Sequence, residues 1–481
     1  MLIWYGTNVS VMICSPLAGN AFSGAFNNRA TNGNFWSSSE SGANAWNRNL
    51  NSGNASVNRD TNDKANGLSI RCLQDSPFIM NEPSIPPLLR DLFLAYYDAR
   101  KQKRSTARAL RFELDYESQI LALYEELITR TYEISPSTCF IVKKPVMREI
   151  FAADFRDRVV HHLVFNYLNP LCERLFIYDS YGCRTGKGVA CGIRRADHFI
   201  RSCSQNYTKD CFVLKLDISG YFMSMNRMIL FEKVKSIIHR YQHEITFESD
   251  LLLWLLQKII FQDHTSHCVI NGVRQDWVGL PKSKSLFFAG KNCGFPIGNL
   301  TSQLFGNIYL NNLDHFVLDT LECRKYGRYV DDFILVHEEI DILKLWIQSI
   351  REYLFSQLAL QMHPKKIYLQ HYTRGVDFLG AYLRPHRIVP RRRLKGNFYR
   401  AIMKWNAILI RCDGKMKNQQ TLNFLASMNS YLGTIGRFRT HRLRRLMLRR
   451  LSPLAWRCIF FGSPYRKVIA RSTKPVSTIA Y

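Results

Sequence analysis

Between residues 326 and 339 the chain reads YGRYVDDFILVHEE, and this stretch leaves little freedom of fold. The flanks Arg328 to Val330 and Phe333 to Val336 are rich in β-branched and aromatic residues, so each favours a strand. The pattern predicts a β-hairpin with Asp331 and Asp332 at its tip. Two carboxylates side by side at a turn repel each other, which argues against a purely structural role. A divalent cation removes that repulsion, because hard cations take oxygen ligands from carboxylates. The pair therefore points to chemistry.

Charge narrows the partner. The 481 residues carry 66 Lys and Arg against 38 Asp and Glu, a net +28. Such an excess costs stability through self-repulsion and points to a polyanion, of which nucleic acid is the commonest. Thirteen cysteines are scattered at irregular spacing with no CxxC pair. Neither a zinc site nor a disulfide framework is expected, and the reading is a reduced, cytoplasmic protein. Residues 1 to 25 are apolar but broken by Gly6, Thr7, Asn8 and Ser10, and lack a basic start, unlike a signal peptide. The run LLLWLLQKIIF (251–261) is too short for a membrane span and contains Lys258, so it predicts a buried helix and no membrane partner.

The composition changes near residue 76. Of the 30 asparagines, 13 fall between 20 and 66, among many Gly and Ser, so residues 1–75 are expected to be loop-rich or disordered. A Pro-rich linker (83–87) follows, and the apolar spacing from Leu88 to Thr131 predicts two amphipathic helices. Strand-like runs at CFIVKKPV, REIFAADF and CFVLKLDI surround a helical run, Val159 to Leu171. Residues 223–262 and 300–318 read as helical, and 326–383 as strand, helix and strand. The segment 390–481 is strongly basic and mainly helical. His161 and His162 are adjacent, so on a helix they point about 100° apart and read as structural, not as ligands of one ion.

A third acid lies in VLKLDI (213–218), where Asp217 ends a strand. Alone it reads as a helix cap or turn former. Together with Asp331 and Asp332 it completes a set of three carboxylates able to converge on two Mg²⁺ ions, the arrangement that serves in-line displacement at phosphorus.

KLDISGYF followed by YVDD resembles the palm of reverse transcriptases, and the order of the motifs between them makes the resemblance specific. GFPIGNLTSQLFGNIYLNNLDHF (294–316) is similar to the family's loop and helix beneath the templating pair. REIFAADFRDRVVHHL (148–163) and SYGCRTGKGV (180–189) look like its fingers motifs. LQMHPKKIYL (360–369) and VDFLGAYL (376–383) resemble its lysine-bearing motif and primer grip. The implied fold is α+β, a right-hand polymerase with fingers, a palm of antiparallel sheet plus helices, and a helical thumb. The implied boundaries are an Asn-rich leader at 1–75, a helical N-terminal extension at 76–140, fingers at 141–210, palm at 211–385 (with fingers/palm helices at 223–290) and a basic thumb at 386–481.

The resemblance also implies roles. Asp217 and Asp331 would hold both metals with Asp332 in support, and the carbonyl of Ile218 would add a ligand; Mg²⁺ is the expected ion, with Mn²⁺ as a substitute. Phe222 falls at the steric-gate position. Arg148, Arg156 and Arg158 are candidates for the triphosphate, whose oxygens match guanidinium forks, with at least one of them expected to be an ordinary ion-pair residue. Lys366, with Lys365 as rival, is the candidate proton donor to pyrophosphate. Phe378, Leu379 and Gly380 would form the primer grip.

PIGNLTSQ (296–303) differs from the PQG…SP pattern of intron-encoded enzymes. Ile297 and Gln303, with LPKSKSLF (280–287), resemble the reverse transcriptases of diversity-generating retroelements. That group copies a template-repeat RNA with errors at adenines, and the family implies template RNA, a DNA primer, dNTPs and a small basic accessory protein as partners. Residues 32–75 resemble the ligand-binding end of a C-type-lectin-like variable protein. Residues 1 to about 75 read as an in-frame translation of the template repeat, or else as an authentic Asn-rich tail or small binding module. The competing readings are a group II intron-type maturase or another bacterial reverse transcriptase, an inactive RNA-binding scaffold, and a displayed ligand-binding protein.

Overall fold

The computed structural model describes residues 85–101, 106–143, 146–244, 248–462 and 465–471, together with six strands within the first 68 residues. The chain divides into two compact units, Met1–Ser84 and Ile85–Tyr481.

In the first unit, β1 (Asn20–Phe22), β2 (Ala25–Asn27) and β6 (Gly67–Leu68) form one antiparallel sheet in the order β2-β1-β6. The others, β3 (Asn32–Ser41), β4 (Asn44–Asn51) and β5 (Val57–Asp63), form a meander with a register break between Trp36 and Glu40. The leader expected to be loop-rich thus has strand backbone in its described stretches; the connections lie outside the described residues.

The second unit opens with α1 (Pro87–Arg100), α2 (Ala107–Glu113) and α3 (Tyr116–Ile128). Two helices are expected there and three form. In α1 the residues Leu92, Ala95, Tyr96 and Ala99 recur on one face and are buried. Strands β7 (Thr138–Val142) and β8 (Arg148–Ala152) make an antiparallel ribbon. Next comes α4 (Phe155–Leu175), longer at both ends than the predicted helical run; at its start Asp154 caps it by accepting a bond from the Arg156 amide. After α5 (Val189–Cys203) and β9 (Phe212–Asp217) come α6 (Tyr221–Ser224), α7 (Arg227–Arg240), α8 (Ser249–Phe261) and the short β10 (Val269–Ile270), which pairs parallel to β7. The segment 223–262, expected to be helical, is therefore broken into three helices. The apolar run of α8 buries Leu251, Leu252, Leu255, Leu256, Ile259 and Ile260, as expected. No helix among the described residues is long and apolar enough to cross a membrane.

The sheet that organises the unit comes last. Helix α9 (Leu300–His315) leads to the hairpin β11 (Tyr326–Tyr329) and β12 (Asp332–His337), then α10 (Ile340–Leu358) and β13 (Tyr368–His371). The strand order is β11-β12-β9-β13, all antiparallel. Both faces are covered. Leu214 and Leu216 of β9, with Phe333 and Leu335 of β12, face a core shared with α4, α9 and α10. Val213, Ile334 and Val336 face α5. Two covered faces explain why VLKLDI and FILV read as nearly continuous apolar runs rather than alternating ones.

A second sheet, β14 (Val376–Phe378), β15 (Ala381–Arg384) and β16 (Arg387–Pro390), packs on the α5 side. The C-terminal helices α11 (Arg392–Arg411), α12 (Asn418–Ile435) and α13 (His441–Leu448) build a core of their own around Phe398, Phe424, Met428 and Leu432. The mainly helical expectation omits the closing hairpin of β17 (Ile459–Gly462) and β18 (Lys467–Ala470).

Candidate active site

Antiparallel pairing sets the site. Asp217, the last residue of β9, stands directly opposite Asp332, the first of β12, and Tyr329 pairs with Asp332 to close the hairpin around Val330 and Asp331. Three carboxylates thus share one end of the sheet, two from a single turn. The turn is strained: Val330 has φ +57°, a region costly for a β-branched side chain, at the first of the two central positions. Gly182 permits the close approach, since a Cβ there would lie 2.7 Å from a Val330 methyl.

What holds the strained turn was not read from the sequence. Arg328 and Asp314 are both fully buried and pair through two bonds, Nε to Oδ1 at 2.7 Å and Nη2 to Oδ2 at 2.6 Å. Tyr326 donates a third bond to Asp314 (2.7 Å), and Arg328 Nη1 donates to the carbonyl of Val330 (2.9 Å). A guanidinium fork therefore ties the turn to α9. The signal in the sequence is an Asp inside the apolar run of α9 and an Arg inside a strand, each hard to bury without the other.

The electrostatics are those of a site short of positive charge. Burial raises the Asp331 carboxyl to about 7, with the neighbouring Asp332 and Asp217 charges adding to the effect. Asp332 is raised by burial and then by Asp217. Lys366 Nζ donates to both oxygens of Asp217, at 2.9 and 2.8 Å. With Asp217 turned towards Lys366, no group of three acidic, His or Cys side chains is closed to metal-ligating spacing among the described residues. The donors nevertheless fit a divalent ion: three hard carboxylates share one end of the sheet, and a cation there would favour the charged forms of Asp331 and Asp332. Ile218 adds to the fit. Asp217 O accepts from His363 and Ser219 N donates to Gln361, so both bonds flanking Ile218 face residues 361–363. The Ile218 carbonyl therefore points to the opposite side, that of β12 and its turn.

A pH dependence follows. Asp331 holds its proton to about pH 7 when folded, against an ordinary value of 3.8. Between these values the folded state binds more protons than the unfolded one, so stability falls as pH rises through the window. Asp331→Asn is expected to stabilise the metal-free protein by about 1–3 kcal/mol at pH 8 and by almost nothing at pH 4. Thermal melts in EDTA at both pH values check this; equal gains at both would refute it.

Around the carboxylates, Phe222 on α6 lies against α9, where a Cβ on Gly306 would approach its ring to 3.4 Å. It shares an apolar cluster with Ile297, and both are partly exposed. The Ile297 carbonyl accepts from the Phe151 amide at 3.1 Å, so the PIGN loop is tied to β8. Gln303 is exposed on α9. Arg148 is exposed at the start of β8, within electrostatic reach of Tyr329 beside the turn. Leu379 (φ +48°) and Gly380 (φ +83°) form the two-residue turn between Phe378 and Ala381.

Of the three arginines, at least one of which is expected to be an ordinary ion-pair residue, Arg156 is engaged within the protein. It pairs with Glu126, donates to the Glu133 carbonyl at 3.1 Å and lies 4.9 Å from the Tyr132 ring centroid. Its guanidinium ties α4 to α3. Arg158 donates to the Ala153 carbonyl at 3.0 Å and is half-buried. His161 is structural as expected: buried, with its Nδ1 on Thr301 at 2.8 Å and its pKa driven down to about 3 by burial.

Glu149 was also missed. Buried on β8, it accepts from Trp277 Nε1 (2.7 Å), Ser285 Oγ (2.9 Å) and the Leu286 amide (2.6 Å). These bonds dock the segment 280–287 beside the site, where the Ser283 carbonyl sits against Gly220.

The pattern of the reverse transcriptase (RNA-dependent DNA polymerase) family matches residues 141–383, which span β7 to β15 and contain all three carboxylates. Protein YkfC of Escherichia coli (strain K12) is 25% identical over 361 residues, covering 67% of this chain and 81% of that protein. Among solved structures, apo telomerase of Candida tropicalis truncated from its C-terminal domain is similar with a TM-score of 0.38 and 14% identity, over 56% of this chain and 60% of that one. Telomerase of Candida albicans, in complex with a TWJ fragment of telomeric RNA, gives a TM-score of 0.38 and 12% identity, over 69% and 59%. The chain thus spans about 60% of the length of these telomerase chains. The family match takes in half of the sequence, the carboxylate-bearing sheet and the strands on either side of it, so this chain belongs to the reverse transcriptase family and carries the α+β, polymerase-like domain of an RNA-directed DNA polymerase, a nucleotidyltransferase.

Proposed function

We propose that the chain extends a DNA primer on an RNA template, with Asp217, Asp331, Asp332 and the Ile218 carbonyl as ligands of two Mg²⁺ ions. The supporting observation is the register that sets Asp217 opposite Asp332 with Asp331 in the adjoining turn. Bound there, the ions activate the attacking 3′-hydroxyl and stabilise the leaving pyrophosphate. Lys366, within hydrogen-bond reach of Asp217, is the proton donor to that pyrophosphate from Nζ. Lys365, its rival, is exposed, as is Lys366; the pair of bonds to Asp217 is what favours Lys366. The turn of Phe378, Leu379 and Gly380 supports the primer end, and Arg148 meets the triphosphate. Extension of a primed RNA template with dNTPs and Mg²⁺ is the direct test; no product would refute the reading.

Phe222 acts as the gate against ribonucleotides, its ring close to Gly306 of α9 and packed on the same apolar cluster as Ile297. Phe222→Ala is expected to lower the preference for dNTPs over rNTPs by about 10- to 100-fold in kcat/KM, the range a single steric contact supplies. An unchanged ratio would remove Phe222 from the role.

We further infer that the enzyme belongs to a diversity-generating retroelement and copies a template-repeat RNA with errors at adenines, assisted by a small basic protein. Ile297 and Gln303 support this reading. An apolar Ile297 offers no amide near the base pair, which relaxes selection there. Ile297→Gln is expected to lower adenine misincorporation several-fold, read by sequencing the cDNA; unchanged errors would count against the link. The leader of residues 1–75 then reads as translated template repeat, testable in the nucleotide sequence as AAY codons at its asparagines and a nearby second copy differing at A positions.

A further inference from the structure

Of the three acids at the end of the sheet, only Asp217 stands in an ion pair among the described residues, and its partner is Lys366. Nζ of that lysine reaches both carboxylate oxygens, at 2.9 and 2.8 Å. The acid that is paired is the one assigned to both metal ions.

The backbone around this pair is fixed without help from either side chain. Asp217 ends β9, and its carbonyl accepts from the His363 amide at 2.8 Å. The Ser219 amide donates to the Gln361 carbonyl at 2.9 Å, and Ile218 bridges Met362 between these bonds. The turn carrying Lys366 grows from the same segment, since the Lys366 amide donates to the His363 carbonyl at 3.1 Å. The two side chains differ in freedom. That of Asp217 is 12% exposed and that of Lys366 is 48% exposed. A lysine on its flexible four-carbon stem swings into water at little cost, whereas a short carboxylate on a strand end has nowhere to go.

Lys366 and a divalent ion compete for the same atoms. A carboxylate offers the same lone pairs to hydrogen-bond donors and to hard cations. An ammonium bonded to both oxygens stands within a few ångströms of any ion they ligate, and in a half-buried site the repulsion is strong. With Lys366 in place, no three acidic, His or Cys side chains among the described residues stand at metal-ligating spacing.

We propose that Lys366 is a latch on the metal site: it occupies Asp217 in the metal-free protein, gives way when an ion is ligated there, and is thereby released towards the leaving pyrophosphate. Loading of the site and delivery of the proton donor are then one event, and the backbone anchor at 361–363 lets the side chain move while the turn stays. The inference rests on the polymerase reading for the metal ions and the pyrophosphate, and it adds how the site is guarded before it fills.

The first test is Mn²⁺ binding to the full chain, read as loss of the free-ion electron paramagnetic resonance signal, with no template or dNTP present. Lys366→Met is expected to bind Mn²⁺ about tenfold more tightly than the wild type, within the usual range of a coupling between two ligands of one site. Lys365→Met makes the same charge change one residue away, and should tighten binding no more than about twofold, through screened charge alone. Lys366→Arg restores a two-pronged donor to the carboxylate and should bind as weakly as the wild type. The second test needs no variant: Mg²⁺ is expected to raise the rate at which acetic anhydride labels Lys366, read by mass spectrometry, and to leave Lys365 unchanged. It decides the matter even where a variant fails to fold. Lys366→Met that binds no more tightly than Lys365→Met, or Lys366 labelling that is unmoved by Mg²⁺, overturns the latch while Mn²⁺ binding that needs Asp217 leaves the metal reading standing. Mn²⁺ binding unaffected by Asp217→Asn overturns both.

Discussion

Replacing Asp331 and Asp332 together with alanine is expected to lower primer extension on RNA at least about 10³-fold, the scale on which loss of a preorganised electrostatic group acts. Both residues sit at the tip of one hairpin, so the double change removes two of the three carboxylates at once. It is not expected to unfold the protein. Asp331 and Asp332 repel each other and Asp217, and their raised pKa values report the cost of burying these charges first and of holding them together second. The variant should therefore melt at or above the wild-type temperature in EDTA and bind duplex as well as the wild type does. Duplex binding and melting separate a dead site from a lost fold. Extension at the wild-type rate would overturn the assignment of the carboxylates, whatever the family.

The second large effect belongs to the buried pair beneath the turn. Removing either partner, by Arg328→Met or Asp314→Ala, leaves a charge in the core and is expected to cost about 3–5 kcal/mol. That corresponds to a fall in Tm of roughly 5–10 °C. The paired variant Arg328→Met with Asp314→Asn carries no buried charge and should recover most of that stability. It should not recover extension. Arg328 Nη1 holds the Val330 carbonyl, and without it the strained residue at φ +57° can relax and carry Asp331 with it. Displacement of a reacting group by about 1 Å can cost about a hundredfold in rate. Recovery of extension together with stability would show that the pair serves folding alone.

These two experiments probe different levels of the sequence. The carboxylates were legible because adjacent acids between apolar strands have few structural uses, and a third acid at a strand end completes the set of three that the sheet brings together. Arg328 and Asp314 were not legible as a pair. Each is an ordinary charged residue in its own element, and nothing in the spacing between them indicates that one guanidinium spans from α9 to the hairpin turn. The same holds for Glu149, whose three partners come from a loop more than 120 residues later. The sequence leads one of Arg148, Arg156 and Arg158 to be expected as an ordinary ion-pair residue without saying which; the structure shows Arg156 engaged by Glu126 and Tyr132.

Secondary structure divides in a similar way. The strands of the central sheet were read correctly, since burial on both faces requires unbroken apolar runs. The helices at 88–131 and 223–262 were read as too few and too long, because periodicity persists across breaks that only packing reveals. The closing β17–β18 hairpin was hidden in a segment whose basic, helical character dominated its neighbours.

The sequence by itself determined the identity of the three acids, the hairpin that carries two of them, and the positive charge that predicts a nucleic-acid partner. These are local or additive properties, readable from spacing and composition. Only the tertiary structure decided the register that places Asp217 opposite Asp332 and the buried ion pair that holds a strained valine between them and α9. Each depends on groups distant in sequence meeting in a low-dielectric interior, where an unpaired charge is costly enough for its partner to matter.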